Sequence, residues 1–187
     1  MSVFSNPADQ AGPEAARYIA AILEMVGDRD PLDVLRATPA GLEAATANVE
    51  SESLRRPEAP GKWAMVEVLQ HLADAELVWG YRIRMVLAED EPELTGYDQN
   101  RWVERFWLAG TGAPELIATF AFLRRLNLRL LEQATPADLA RAGRHTERGP
   151  ETIEHMIRLN AGHDLVHVAQ LRRIRDAVSA SGSGDDG

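Results

Sequence analysis

His163 and His167, in the run Asn160-Ala-Gly-His-Asp-Leu-Val-His-Val-Ala-Gln170, have the spacing of two ligands to one cation. Positions four apart on a helix lie one above the other on a single face, so both imidazoles can reach the same ion. The chain has five histidines. A third, His71, occurs in Trp63-Ala-Met-Val-Glu67-Val-Leu-Gln-His71-Leu-Ala-Asp74-Ala-Glu76, which also reads as helix. For any one of them the bland reading is a hydrogen-bonded core histidine. Three neutral imidazoles buried without partners, however, would strand polar nitrogens at about 1–3 kcal/mol each, whereas a divalent cation satisfies all three. A three-histidine set leaves further positions open for water or substrate. The expected chemistry is Lewis-acid activation of water or of a thiol as a nucleophile near neutral pH. Imidazole ligands admit zinc, nickel, iron, cobalt or copper without selecting among them.

The segment His163-Asp164-Leu-Val-His167 resembles the His-Glu-x-x-His of zinc proteases with aspartate in the glutamate position, one methylene short. Those enzymes take a further ligand downstream, commonly glutamate or histidine. After His167 the only carboxylate side chains are Asp176, Asp185 and Asp186. The third ligand is therefore sought upstream, which favours His71 and disfavours a protease. His145 lies in Gly143-Arg-His-Thr-Glu-Arg-Gly149, which reads as a loop. His155 precedes His163 by eight residues, about 80° around a helix and about 12 Å along it, so neither joins the set easily. Glu67 and Asp74, flanking His71, and Asp164 and Gln170, bordering the pair, are candidates to orient the ligands from behind; the alternative is exposed charge. Tyr97, Asp98, Asn100 and Trp102 are candidates to reach over the site, or simply meet solvent. Arg124, Arg125, Arg172, Arg173 and Arg175 read as solvated helix faces or partners for the excess carboxylates.

The elements that must position these residues are helical, since no β-type alternation flanked by turn signals persists. A first helix covers about Pro13 to Met25. Asp30-Pro31 opens a second, and Thr38-Pro39 repeats that cap-and-proline grammar, predicting a fresh start that runs to about Ser51. Two prolines and a glycine make the stretch after Leu54 a loop. A long amphipathic helix follows from about Ala64 to Glu89, with Val68, Leu72, Ala75, Val78, Trp79 and Val86 close to one side and His71 among them. An acidic crossover leads to a helix over about Pro114 to Gln133, whose apolar face (Leu116, Phe120, Leu123, Leu130, Leu131) is broken by Asn127. Thr135-Pro136-Ala-Asp138 caps a short piece. The last helix spans about Glu151 to Val178, with Met156, Leu159, Val166, Leu171 and Ile174 on the side of His163 and His167. Residues 1–12 are expected to be a flexible N-terminus, and the Gly/Ser-rich 179–187 a disordered tail.

With 187 residues the chain suits one domain. Its formal charge of -9 and pI near 5.0 argue against a nucleic-acid partner. It has no cysteine, so any thiol chemistry must use a thiol brought from outside. Residues 1–10 lack a secretory pattern, and no run approaches the roughly 18 apolar residues of a spanning helix. A cytoplasmic protein without a membrane partner is expected.

Taken together, Trp63 through His71 to Glu76, then Tyr97-Asp98-Gln-Asn100-Arg-Trp102, then Gly162-His163-Asp-Leu-Val-His167-Val-Ala-Gln170-Leu171 resemble the DinB/YfiT-like superfamily over about residues 14 to 178. The resemblance implies an all-α four-helix bundle with an up-down-down-up course and a long crossover, here with short accessory helices. It implies a homodimer with a divalent metal, zinc or nickel first and iron next, on His71, His163 and His167. It further implies a small-molecule substrate, a link to stress response, and either thiol S-transfer using a low-molecular-weight thiol, which is preferred, or hydrolysis. The class-distinct alternative is a non-catalytic dimeric bundle whose metal is structural or absent. Val166 departs from the commoner pattern, where a further histidine often precedes the last ligand.

Overall fold

The computed structural model describes residues 13–106 and 111–182. Helix α1 (Pro13–Val26) is followed by α2 (Pro31–Thr46), where Asp30 Oδ1 accepts from the Leu32 N–H at 2.8 Å and Pro31 occupies the first turn. A short 3-10 turn at Ser53–Arg55 leads to α3 (Met65–Ala88), whose first turn is closed by Glu67 accepting from the Ala64 N–H at 2.7 Å. The crossover carries strand β1 (Glu93–Leu94) and helix α4 (Gln99–Phe106). Helices α5 (Ala113–Leu131) and α6 (Pro136–Ala140), strands β2 (Ala142–His145) and β3 (Gly149–Thr152), and helix α7 (Ile153–Gly182) complete the order.

The expected restart at Thr38-Pro39 does not occur, and α2 runs straight through Pro39. Proline deprives the carbonyl four residues earlier of its N–H donor. That carbonyl belongs to Leu35, and the Nη1 of Arg124, from α5, donates to it at 2.8 Å. A tertiary hydrogen bond thus replaces the missing helical one. At the other end, α7 continues to Gly182, so the first four residues of the expected tail are helical; 183–187 and the expected flexible segment 1–12 lie outside the described residues.

Helices α2, α7, α3 and α5 form a closed ring of neighbours in that order, and α1 packs on α7. Thr38 meets Asp164 and Gly41 meets Val168, so α2 and α7 run parallel. Glu76 meets Arg124 and Arg84 meets Asn127, so α3 and α5 also run parallel, which requires the long crossover between them. The course is up, down, down, up. Apolar side chains divide into two clusters. One contains Leu42, Met65, Val68, Leu72, Phe120 and Leu171; the other contains Ile22, Leu35, Trp79, Val86, Met156 and Leu159. His71, His163 and His167 fall at the junction between them along α3 and α7.

Small strands were not expected, yet β1 pairs in parallel with β2, and β2 in antiparallel with β3. The segments Ala-Gly-Arg-His and Gly-Pro-Glu-Thr are four residues each and contain a glycine or a proline, so they carry no strand-like alternation. Gly143 is required where it stands, because a Cβ there would lie 2.8 Å from Leu94 Cδ1 and 2.9 Å from Val86 Cγ2. His145 is thereby buried in a β-hairpin and not in a loop.

Its Nδ1 accepts from the Glu147 N–H at 3.2 Å, while its Nε2 is buried with no hydrogen-bond partner among the described residues. Burial first, and the charges of Arg148 and Arg82 next, push its pKa down to about 4. The unfolded chain therefore binds a proton here between about pH 6.5 and 4 that the folded chain does not, so stability falls as pH drops through that window. The linkage amounts to about 1–3 kcal/mol. Urea unfolding of His145→Gln should show a flatter loss between pH 6.5 and 4 than the parent; equal slopes would contradict it.

Candidate metal centre

Helix α3 delivers His71, and one face of α7 delivers His163 and His167. Their candidate ligand atoms all lie within 4.8 Å of one another. His71 Nε2 and His163 Nε2 are 2.9 Å apart, and the three ring centroids are separated by 4.4 to 5.0 Å. Nitrogens bound to one tetrahedral cation at about 2.05 Å stand about 3.3 Å apart, so the observed span suits a shared ion. Trp63 closes the set on one side, its rings 5.0 Å from His71.

His71 and His167 are prepared as neutral ligands. Burial first, then the neighbouring histidines, hold His71 well below the ordinary histidine pKa. Burial and His163 hold His167 down to about 3, against the raising effect of Gln170. Gln170 Oε1 lies 2.8 Å from His167 Nδ1 and accepts its proton, which leaves the Nε2 lone pair for a cation. His71 Nδ1 and His163 Nδ1 are buried with no hydrogen-bond partner among the described residues. The nitrogens that converge are Nε2 of His71 and His163, with the Nε2 lone pair of His167 left free, and these buried nitrogens fit a bound cation.

Of the residues expected behind the ligands, Gln170 makes direct contact and Asp164 comes close, with Oδ1 4.0 Å from His163 Nδ1. Glu67 does not approach His71 by a hydrogen bond; it caps α3. Asp74 accepts from the Gln70 side chain at 3.0 Å and leaves Oδ2 buried without a partner among the described residues, and burial pushes its carboxyl up. Asp98 accepts from the Asn100 and Arg101 N–H groups and so starts α4, with Asn100 exposed. Trp102 packs on Tyr97 at 4.6 Å, and Tyr97 faces the cavity beside the histidines.

Arg124, expected on a solvated face, is 2% exposed and lies at the centre of the bundle. It donates to Glu76 Oε2 through Nε and Nη2 at 2.9 and 2.6 Å, and to Asp164 Oδ2 through Nη1 at 2.7 Å. Asn127 donates to Glu76 Oε1 at 2.7 Å, and Thr38 donates to Asp164 Oδ2 at 2.7 Å. Burial alone would raise the Asp164 carboxyl, but the Arg124 charge and these hydrogen bonds hold it at about 2. One buried charge network therefore joins four helices directly behind His163. Asn127 was its visible trace, a polar residue on an apolar stripe three positions from Arg124.

A cavity of about 100 Å³ opens onto His71 and His163 between α1, α3, α7 and the β2–β3 hairpin. Tyr18, Trp79, Arg82 and Arg148 contribute to its wall; none was a candidate site residue in the sequence, where Trp79 read only as part of the apolar face of α3. Gly162 brings α1 against the histidine helix, because its backbone lies directly on the Ile22 carbonyl.

The model of the DinB superfamily matches residues 35–171. A Bacillus licheniformis protein named as a candidate metal-dependent hydrolase is 30% identical over 179 residues, covering 94% of this chain and 93% of the relative. A Geobacillus thermodenitrificans protein with the same kind of name is 28% identical over 144 residues, 75% of this chain and 72% of the relative. The solved structure of Bacillus subtilis YfiT, described as a candidate metal-dependent hydrolase with an unusual four-helix bundle topology, superposes with a TM-score of 0.68 at 25% identity. It covers 76% of this chain and 84% of YfiT.

Proposed function

The chain belongs to the DinB superfamily, and on that premise we propose that it is a divalent-cation-dependent enzyme acting on a small electrophilic molecule, with His71, His163 and His167 as the ligands. The observation that carries the reading is the convergence of three buried or nearly buried imidazoles, whose candidate ligand atoms all lie within 4.8 Å of one another. A cation held there supplies Lewis acidity, activating water or a thiol for attack on an electrophilic centre. Nitrogen ligands of this kind suit zinc or nickel, with iron next.

The chain's own residues set the conditions for that chemistry. Gln170 fixes the His167 ring and its tautomer. Asp164, held ionised by Arg124, does not exchange a proton near neutral pH; it holds negative charge behind His163. Burial pushes the Tyr18 hydroxyl up to about 12 and Tyr97 higher still, so both remain protonated donors beside the cavity. Ile22, Trp79 and Leu159 supply apolar wall that limits competing water.

The names carried by the relatives weigh toward water as the nucleophile; the thiol reading rests on the family resemblance alone, and its thiol would come from outside a chain that has no cysteine. Zinc- or nickel-loaded protein assayed with p-nitrophenyl acetate alone, and with monochlorobimane plus bacillithiol, mycothiol or glutathione, separates the two. Turnover of the ester alone supports hydrolysis, and thiol-dependent conjugation supports transfer. Loss of either in His163→Ala ties it to the site, while no metal-dependent turnover in any arm opposes the enzyme reading. Homodimer formation, proposed from the same resemblance, is tested by sedimentation, where a single copy would overturn it.

Gln170→Leu should weaken zinc binding by about 10- to 100-fold, because the His167 tautomer and orientation are no longer fixed. Competition with a chromogenic chelator measures this, and an unchanged affinity would deny Gln170 its orienting part.

A further inference from the structure

His71, Ala75, Val78 and Arg82 stand at positions i, i+4, i+7 and i+11 of α3, and all four line the cavity. The stripe places an imidazole at one end and a guanidinium at the other, about 16 Å apart along the helix axis. Ile22, Trp79 and Leu159 give the wall an apolar part contributed by three elements, beside the polar groups of Tyr18, Tyr97 and Gln99.

Arg82 is 5% exposed. Its Nη2 donates to the Thr95 carbonyl at 2.5 Å, and its guanidinium lies 5.9 Å from the Trp79 ring centre. No carboxylate lies within 4 Å of it among the described residues, whereas the other buried arginine, Arg124, has two. Arg148, its neighbour on the cavity wall, is already neutralised by Glu151 through Nε and Nη2 at 2.5 and 3.0 Å. Glu147 is the carboxylate on the wall, and its side chain belongs to an exposed residue. Burial, with the Arg148 charge adding to it, pulls Arg82 down to about 10. A buried cation in that condition is stabilised by an arriving anion. Among the described residues only Nη2 of Arg82 has a hydrogen-bond acceptor, the Thr95 carbonyl, and the remaining guanidinium N–H groups offer two-point recognition of a carboxylate.

We propose that Arg82 is the anion-recognition residue of this cavity and that the ligand is a small carboxylic acid with an apolar chain, its carboxylate at Arg82 and its far end toward His71 and His163. The cavity, at about 100 Å³, is smaller than the ~150 Å³ apolar cavity that accepts a benzene ring, so its enclosed part selects a narrow chain over a ring. Only the assignment of the far end as the reacting end rests on the metal-dependent reading. Recognition of the acid does not.

The test is a calorimetric titration of hexanoate and of hexanamide into metal-free, full-length protein at low salt. Hexanoate should bind roughly 10- to 100-fold more tightly than the uncharged amide, the worth of a hydrogen bond to a charged group. Arg82→Gln should abolish that preference, with hexanamide binding unchanged, and Arg82→Lys should restore part of it. Equal binding of acid and amide by the parent, binding of neither, or a preference that survives in Arg82→Gln would overturn the proposal. The parent comparison decides the matter even if Arg82→Gln does not fold. Because the titration uses metal-free protein, a failed metal centre leaves the preference for the acid in place, whereas a failed acid site removes it.

Discussion

Arg124→Met should cost about 3–5 kcal/mol of folding free energy, the usual consequence of removing one member of a buried ion pair. The guanidinium serves three acceptors at once, the Glu76 and Asp164 carboxylates and the Leu35 carbonyl released by Pro39. Methionine fills comparable volume but leaves two carboxylates at 1% exposure without their cation. Against a total of about 5–15 kcal/mol for a domain, the variant should be near its folding limit at 37 °C. Urea unfolding at pH 7 measures the loss. Adding Glu76→Gln to Arg124→Met should recover part of it, since one uncompensated charge is then gone. A loss below about 1 kcal/mol would mean that water reaches these carboxylates and that the network does not hold the bundle together.

The second large effect is that of His71→Ala on metal-dependent stability. A ligand that binds only the folded chain adds about 4 kcal/mol when present at a thousand times its dissociation constant. The parent should therefore melt several degrees higher with zinc or nickel than after chelation, and His71→Ala should show no such increment. Without metal the variant should lose little, because removing a buried imidazole whose Nδ1 has no partner relieves about 1–3 kcal/mol of unsatisfied burial that offsets the lost packing. Differential scanning fluorimetry with and without a chelator reads both effects. An equal metal increment in the parent and in His71→Ala would place the metal elsewhere.

How much of this was legible beforehand depended on whether the governing interaction was local. Asp30-Pro31 and Thr135-Pro136 announced helix starts because an N-cap and the residues it bonds are adjacent in sequence. His163 and His167 announced a shared target because helical geometry fixes their spacing, and the apolar periodicity of α3 placed His71 inward with them. Pro39 misled, since the group that repairs its helix is Arg124, 89 residues from Leu35. Arg124 itself looked like one more surface charge because its partners Glu76 and Asp164 are 48 and 40 residues away. Arg82 was passed over for a related reason: its position on the His71 stripe was readable, but its lack of a counterion becomes visible only when the hairpin is folded against α3. The hairpin escaped notice because four-residue strands containing Gly143 or Pro150 take their shape from pairing and packing, and not from alternation. Glu67 and Asp98 lie close in sequence to His71 and Tyr97, yet their carboxylates close the N-terminal turns of α3 and α4.

The central claim, that His71, His163 and His167 together hold one divalent cation, is tested most directly by elemental analysis of untagged protein, as purified and after reloading with zinc or nickel. About one equivalent of metal per chain is expected in the parent and less than about 0.1 in His163→Ala, since removal of one of three ligands leaves no closed site. Less than about 0.1 equivalent in the parent after reloading, or equal metal in the parent and in His163→Ala, would contradict it.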